Sequence, residues 1–148
     1  MRSRTTDKEI LALAEALRPA LLRTSRRLRR EAQKAGVSAL DAQLLGVIAK
    51  HPGIGGGELA EREQMSAPSM SAHIKRLEAA GWIERGARPA EDRRRVALSV
   101  TRSGQAALDA IRRRRNDWLA ARLGALAPED RKALAAAAEP LRRLAGEG

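Results

Sequence analysis

Apolar residues recur at helical spacing along most of the chain. Over residues 7–34, Ile10 and several leucines follow one another at intervals of three, four or seven, which predicts one long helix that ends at Gly36. Similar spacing predicts a long helix over 102–124 and a last helix that begins at Pro128. An isolated helix cannot bury such a stripe, so these helices need partners.

Three shorter helices are predicted between the long ones. Ser38 is a helix N-cap, and Asp41 three residues later completes a variant of the capping box. The segment 52-PGIGGG-57 then ends this helix. It lacks the GK[ST] ending of a phosphate-binding loop, so we interpret it as a turn between helices. Two further helices are expected over 58–64 and 66–81.

The helix over 66–81 has two different sides. Ser66 is its expected N-cap, and Met70, Ile74 and Leu77 form its apolar side. The opposite side is small, polar and basic, and comprises Pro68, Ser69, Ser71, Ala72, Lys75, Arg76 and Ala79. A helix with such an outer side fits the major groove of DNA, where the edges of the four base pairs are distinguishable.

A β-hairpin is predicted after this helix. Branched apolar residues alternate with small ones over 96–101, and residues 82–85 form the partner strand. The connecting loop, 86-GARPAEDRRR-95, is long for a hairpin and carries four arginines. An arginine at the tip of a hairpin fits the minor groove, where narrow A·T stretches concentrate negative potential.

Composition narrows the choice of partner. The chain of 148 residues carries 29 lysines and arginines against 18 acidic residues, a net charge of +11, which favours nucleic acid first and an anionic membrane second. The absence of Phe and Tyr argues against modules that stack single-stranded bases or RNA. No segment approaches the ~18 apolar residues of a membrane span and no apolar signal core follows the N-terminus, so we expect a soluble, cytoplasmic protein.

The same composition argues against catalysis and metal binding. There is no cysteine, which excludes disulfides and thiolate zinc sites, and there are only two histidines. Neither histidine has the spacing of a metal-binding motif. We therefore expect no enzyme activity, no metal and no cofactor.

The order of these elements is that of a winged helix-turn-helix. Within it, 59-LAEREQMSAPSMSAHIKRLEAAGWIER-85 and 91-EDRRRVALSVT-101 resemble the MarR family of transcriptional regulators. The family pattern there is LAE, a Ser-capped recognition helix, RLE, a glycine, an ER pair and a DxR wing motif. The chain departs from it at 63-EQM-65, where relatives often have an apolar residue and a glycine.

The resemblance implies a mainly α fold with a small β-hairpin wing, assembled as an intertwined homodimer. It divides the chain into an N-terminal dimerisation helix (1–35), a winged helix-turn-helix domain (36–101) and C-terminal dimerisation helices (102–148). The implied function is sequence-specific binding of double-stranded DNA at a pseudo-palindromic operator, with repression as the expected output. An anionic or phenolic small molecule is implied as an effector, but the sequence does not identify it.

The resemblance also assigns DNA contacts to individual residues. In the recognition helix these are Ser66, Pro68, Ser69, Ser71, Ala72, Lys75 and Arg76. In the wing, Asp92 is expected to brace Arg94, which enters the minor groove. Strand alternation then directs Arg93 and Arg95 to the other side, towards phosphates. His73, at the border of the apolar side, is interpreted as a packing residue.

Some alternatives remain open at this point. A basic winged protein could be an architectural DNA-binding protein without sequence preference, or an interaction module that has lost DNA binding. The run 112-RRRR-115 points around a full helical turn. Its arginines either pair with carboxylates in solvent, or one of them, with Arg26 or Arg30, lines an anion-binding pocket.

Overall fold

A computed structural model describes residues 4–86 and 97–146 of the chain, and within them it contains six helices and two strands. In chain order they are α1 (Arg4–Lys34), α2 (Ala39–Lys50), α3 (Gly56–Arg62), α4 (Ala67–Ala79), β1 (Ile83–Gly86), β2 (Ala97–Val100), α5 (Arg102–Gly124) and α6 (Pro128–Leu144). This mainly α fold with a small hairpin confirms the predicted architecture. The predicted helix over 7–34 begins three residues earlier, at position 4.

The core lies between α2, α3, α4 and the hairpin. Its apolar side chains are almost completely buried, and they comprise Leu44, Leu45, Ile48, Ile54, Leu59, Met70, Ile74, Leu77, Ile83 and Leu98. Each large aliphatic side chain buried in this way contributes roughly 1.5–3 kcal/mol to folding. The core therefore joins the three short helices and the two strands into one unit.

The two strands pair antiparallel, with Ile83 opposite Val100 and Gly86 opposite Ala97. Residues 52–55 form a turn between α2 and α3, whereas Gly56 and Gly57, which were predicted to belong to the turn, begin α3. The turn also extends the sheet. The N–H of Leu98 donates to the carbonyl of Ile54 at 2.9 Å. The sequence alone does not reveal this pairing, because Leu98 lies more than 40 residues away from Ile54 along the chain.

The turn between α3 and α4 contains the departure from the family pattern. Gln64 adopts φ 53°, a left-handed conformation that favours glycine. The Gln64 N–H donates to the carbonyl of Glu61 at 3.2 Å, and the Met65 N–H donates to that of Ala60 at 2.9 Å. The glutamine therefore occupies a conformation that favours glycine, and we expect it to cost about 1 kcal/mol relative to glycine.

The start of α5 is locked onto the hairpin. The Thr101 hydroxyl accepts a hydrogen bond from the N–H of Gly104 at 3.0 Å and donates to the carbonyl of Gly81 at 2.5 Å. Gly104 lies so close to Trp82 that a Cβ added there would be 2.0 Å from the Trp82 carbonyl oxygen. This junction fixes the direction in which α5 leaves the winged domain.

Helices α1 and α5 lie side by side and run antiparallel. Arg115 Nε donates to the carbonyl of Leu28 at 3.2 Å, and Ala32 and Ile111 are buried together in a second small apolar cluster. Within the described residues, no helix combines the length and apolar character that a membrane span requires.

Long apolar stripes on α1 and α6 remain uncovered in one chain. The exposed large apolar residues are Ile10, Leu11, Leu13, Leu17, Leu21, Leu22, Leu126, Leu134 and Leu144. Ile10 and Leu13 are each 59% exposed, and no residue of α6 is buried. The apolar pattern predicted that these stripes need partners. Within the described part of one chain, the residues named above remain exposed.

Substitution of Gly104 by alanine should destabilise the fold strongly. The added Cβ cannot coexist with the Trp82 carbonyl oxygen, and overpacking of this kind costs about 2–3 kcal/mol. As a matched control, Gly46→Ala adds a methyl group within α2 that meets nothing within 4 Å, and it should stabilise by roughly 0.5–1 kcal/mol. Urea unfolding at one fixed protein concentration measures both, and equal midpoints for the two variants would contradict this account.

Candidate nucleic-acid interface

Helix α4 presents its small, basic side to solvent. Met70, Ile74 and Leu77 are at most 5% exposed, because they pack into the core. The residues predicted to contact DNA are all exposed on the other side of the helix or at its start: Ser66, Pro68, Ser69, Ser71, Ala72, Lys75 and Arg76. The structure thus places these residues on one continuous surface.

The N-terminus of α4 lies at the same surface. Ser66 is the N-cap, and its hydroxyl oxygen accepts a hydrogen bond from the N–H of Ser69 at 3.3 Å. No acidic residue lies in the first turn, and Pro68 has no N–H to satisfy. The first turn thus carries no carboxylate, and the positive end of the helix dipole there is electrostatically suited to a phosphate.

Arg76 has a partner that the sequence analysis missed. Its Nη2 lies 2.6 Å from Oδ1 of Asp41, and its Nε lies 3.3 Å from Oδ2. The Asp41 side chain is 10% exposed, whereas that of Arg76 is 53% exposed. Hydrogen bonding to Asp41 is the main reason that the pKa of Arg76 is raised. The expected DNA contact is therefore already engaged in an ion pair with α2.

This pairing changes the predicted capping box. The Ser38 hydroxyl accepts a hydrogen bond from the N–H of Asp41 at 3.0 Å, as expected of an N-cap. The Asp41 carboxylate, however, binds Arg76 rather than returning to the start of α2. The reciprocal half of the box was predicted wrongly because Arg76 offers a charged, two-pronged donor.

His73 also takes part in this arrangement. It is half-buried, and its Nδ1 lies 2.6 Å from Nη2 of Arg76. Because a guanidinium can only donate, Nδ1 is the acceptor in this contact. His73 thus sits between the core and the surface, next to the ion pair.

The described strands hold the ends of the wing. Arg85 on β1 pairs with Glu78 on α4 at 3.0 Å, which connects the hairpin to the recognition helix. The predicted wing residues Asp92, Arg93, Arg94 and Arg95 lie outside the described residues, and their roles stay predictions.

A cavity of about 510 Å³ lies between α1, α2 and α5. It is lined by Leu21, Thr24, Ser25, Leu28, Arg29, Ala39, Ala42, Gln43 and Arg115. Its volume is in the range of sites for small organic ligands. Of the 112–115 run, Arg115 reaches the cavity, where Arg29 joins it. Arg26 and Arg30, the residues considered in the sequence analysis, are exposed and do not line it.

Within the described residues, 4–86 and 97–146, no group of three or more His, Asp or Glu side chains could hold a metal ion.

The buried and exposed sides of α4, the hairpin behind it and the three-helix core define a winged helix-turn-helix DNA-binding protein. Residues 35–95 match the model of the MarR family. An HTH-type transcriptional regulator of Mycobacterium bovis is 36% identical over 91% of this chain and 94% of its own length. The chain belongs to the MarR family, and it is a DNA-binding transcriptional regulator.

Solved structures agree with this assignment. A transcriptional regulator protein from Pseudomonas aeruginosa is 33% identical, with a TM-score of 0.79 over 93% of this chain and 96% of that one. MarR itself is 30% identical, with a TM-score of 0.65 over 90% of this chain and 95% of that one. The similarity thus extends beyond the winged domain to the long helices.

Proposed function

We propose that this protein represses transcription by binding a pseudo-palindromic DNA operator as a homodimer. The observation that carries the proposal is the outer side of α4, where Ser69, Ser71, Ala72 and Lys75 are exposed to solvent. Small hydroxyl groups and the Ala72 methyl group suit close approach to base edges and thymine methyl groups, and Lys75 suits a phosphate or a guanine. Ser66 and Pro68 at the helix start face the DNA backbone.

The wing supplies the second proposed contact. In this proposal Asp92 orients Arg94 for the minor groove, and Arg93 and Arg95 bind phosphates. DNA phosphates would then provide counter-charge for these consecutive arginines.

The homodimer is supported by the uncovered stripes of α1 and α6. A second copy of the chain, contributing the same stripes, would remove them from water, and homodimers are typical of the family. A two-fold axis would place two copies of α4 in successive major grooves, about 34–36 Å apart. An inverted-repeat operator with A·T-rich flanks follows from that symmetry.

An effector is proposed for the cavity between α1, α2 and α5. Arg29 and Arg115 bring positive charge to its wall, and Leu21 and Leu28 bring apolar surface. This combination suits a small aromatic or phenolic anion. Binding there would weaken repression only by the difference in affinity between the DNA-binding state and other states of the dimer.

Catalysis forms no part of the proposal, since the chain offers two histidines and no cysteine. We further propose that the protein works in the cytoplasm, where its DNA target lies. The main competing function is architectural binding without sequence preference, which the same basic surface would serve.

Specific binding is the first expected outcome. The wild-type protein should prefer a duplex selected from a random library over a scrambled duplex of equal length by ~10³-fold or more. Fluorescence anisotropy at physiological salt measures the ratio. Equal, tight affinity for both duplexes would contradict a regulator and support the architectural protein.

Lys75→Ala should weaken operator binding by about 1–3 kcal/mol. If Lys75 contacts a phosphate, the salt dependence should become shallower by about one; if it reads a base, preference should relax at one operator position. The matched control is Lys132→Ala on α6, which removes the same charge from an exposed helix away from α4. If both variants lost the same affinity for the operator, Lys75 would not be a DNA contact.

Leu13→Glu should convert the dimer into monomers, because it places a charge in the apolar stripe of α1. Loss of one of two half-site contacts should then weaken operator binding by roughly 100-fold or more. Ala12→Glu adds the same charge to the opposite side of the helix and should leave the dimer intact. Sedimentation equilibrium distinguishes the two, and a dimeric Leu13→Glu protein would show that this stripe is not the interface.

A further inference from the structure

We propose that Asp41 and Arg76 form a clamp that sets the position of the recognition helix, and that Arg76 acts through this clamp rather than by touching DNA. This inference rests on the proposed function, since it assigns a positioning role within the DNA-binding surface. It gives a role to Asp41, which lies in α2 and outside the recognition helix.

The Asp41 carboxylate is largely buried. Its side chain is 10% exposed, and a carboxylate removed from water needs compensation by a charged donor. Arg76 supplies that donor through Nη2 and Nε, at 2.6 and 3.3 Å from the two carboxylate oxygens. Release of Arg76 to a phosphate would leave Asp41 buried without its partner, so the guanidinium is poorly available to DNA.

Helix α4 is held in place both by apolar packing and by the Asp41–Arg76 pair. Along the chain α4 packs against α3 and β1, and its inner side is held by apolar contacts. Apolar burial determines which side of a helix faces inward, but it is not directional. A two-pronged guanidinium–carboxylate pair is directional, so it restricts rotation and sliding of the helix. Lys75 and Arg76 are adjacent, so a rotation that breaks the clamp also moves Lys75.

The clamp lies close in sequence to the cavity between α1, α2 and α5. Asp41 precedes Ala42 and Gln43 in α2, and both of these residues line the cavity. Gln43 also donates to the Glu63 carboxylate in the turn before α4. Residues 41–43 of α2 therefore connect the cavity to the C-terminal half of α4 through Arg76 and to the turn before α4 through Glu63. An occupant of the cavity that displaces these residues acts on α4 through the clamp.

Asp41→Asn distinguishes the clamp from a direct contact between Arg76 and DNA, because the two predict changes in DNA affinity of opposite sign. The variant keeps the shape of the side chain and the charge of Arg76 but weakens their pairing. The clamp predicts that affinity for the selected duplex falls about tenfold, while affinity for scrambled DNA and the salt slope stay unchanged. If Arg76 contacted a phosphate, removal of the competing carboxylate would instead strengthen binding to both duplexes.

Arg76→Gln and Arg76→Lys complete the test. The clamp predicts that Arg76→Gln costs about as much as Asp41→Asn, and that the double variant costs no more than the worse single one. Arg76→Lys keeps the charge but loses the two-pronged geometry, so the clamp predicts a similar loss of specific affinity. A shallower salt slope by about one in Arg76→Gln, with near wild-type binding by Arg76→Lys, would overturn the clamp.

The matched control is Glu58→Gln, which removes an exposed ion pair with Arg62 within α3. It should leave the specificity ratio near that of wild type. Hydrogen exchange provides a readout without DNA: amides of α4 should exchange faster in Asp41→Asn than in Glu58→Gln. If the wild-type protein shows no sequence preference, the proposed function fails. The clamp is then tested by hydrogen exchange alone, and faster exchange of the α4 amides in Asp41→Asn than in the control supports it. If wild type is specific and α4 exchanges equally in both variants, only the clamp fails.

Discussion

Met70, Ile74 and Leu77 pack the inner side of α4 into the core, and this burial decides which side of the helix remains for a partner. Since the core is built from α2, α3 and the hairpin, the recognition helix lies on a compact scaffold rather than on a mobile arm. The outer side can then remain small and basic without loss of stability. The position of the wing follows from the same core, because Leu98 and Ile83 enter it from the two strands.

Outside this core, helices α1 and α6 carry apolar side chains that are exposed in a single chain. The stripe on α1 is more exposed towards its N-terminal end, and α6 has no buried residue. In the proposed homodimer, a second copy of the chain would remove these side chains from water. Gly104 and Thr101 join the start of α5 to the hairpin, so in that dimer the packing of the long helices would influence the placement of α4.

Electrostatics are divided unevenly over the molecule. The net charge of +11 attracts DNA from a distance, but individual cations have different tasks. Lys75 is exposed on the outer side of α4, whereas Arg76 is bound to a buried carboxylate and Arg115 to a backbone carbonyl of α1. Positive charge thus serves three purposes here: attraction, internal bracing and the lining of a cavity.

Local signals made much of this protein readable from its sequence. Helical periods, the caps Ser38 and Ser66, and the terminating Gly36 act within a few residues, so the elements and the exposed side of α4 were predicted correctly. The left-handed Gln64, the bridge from Ile54 to Leu98 and the Asp41–Arg76 pair were not. The last of these joins residues 35 positions apart. Sequence spacing reports which residues share an element, but only the packing of α2 against α4 decides which charges meet and which remain free for DNA.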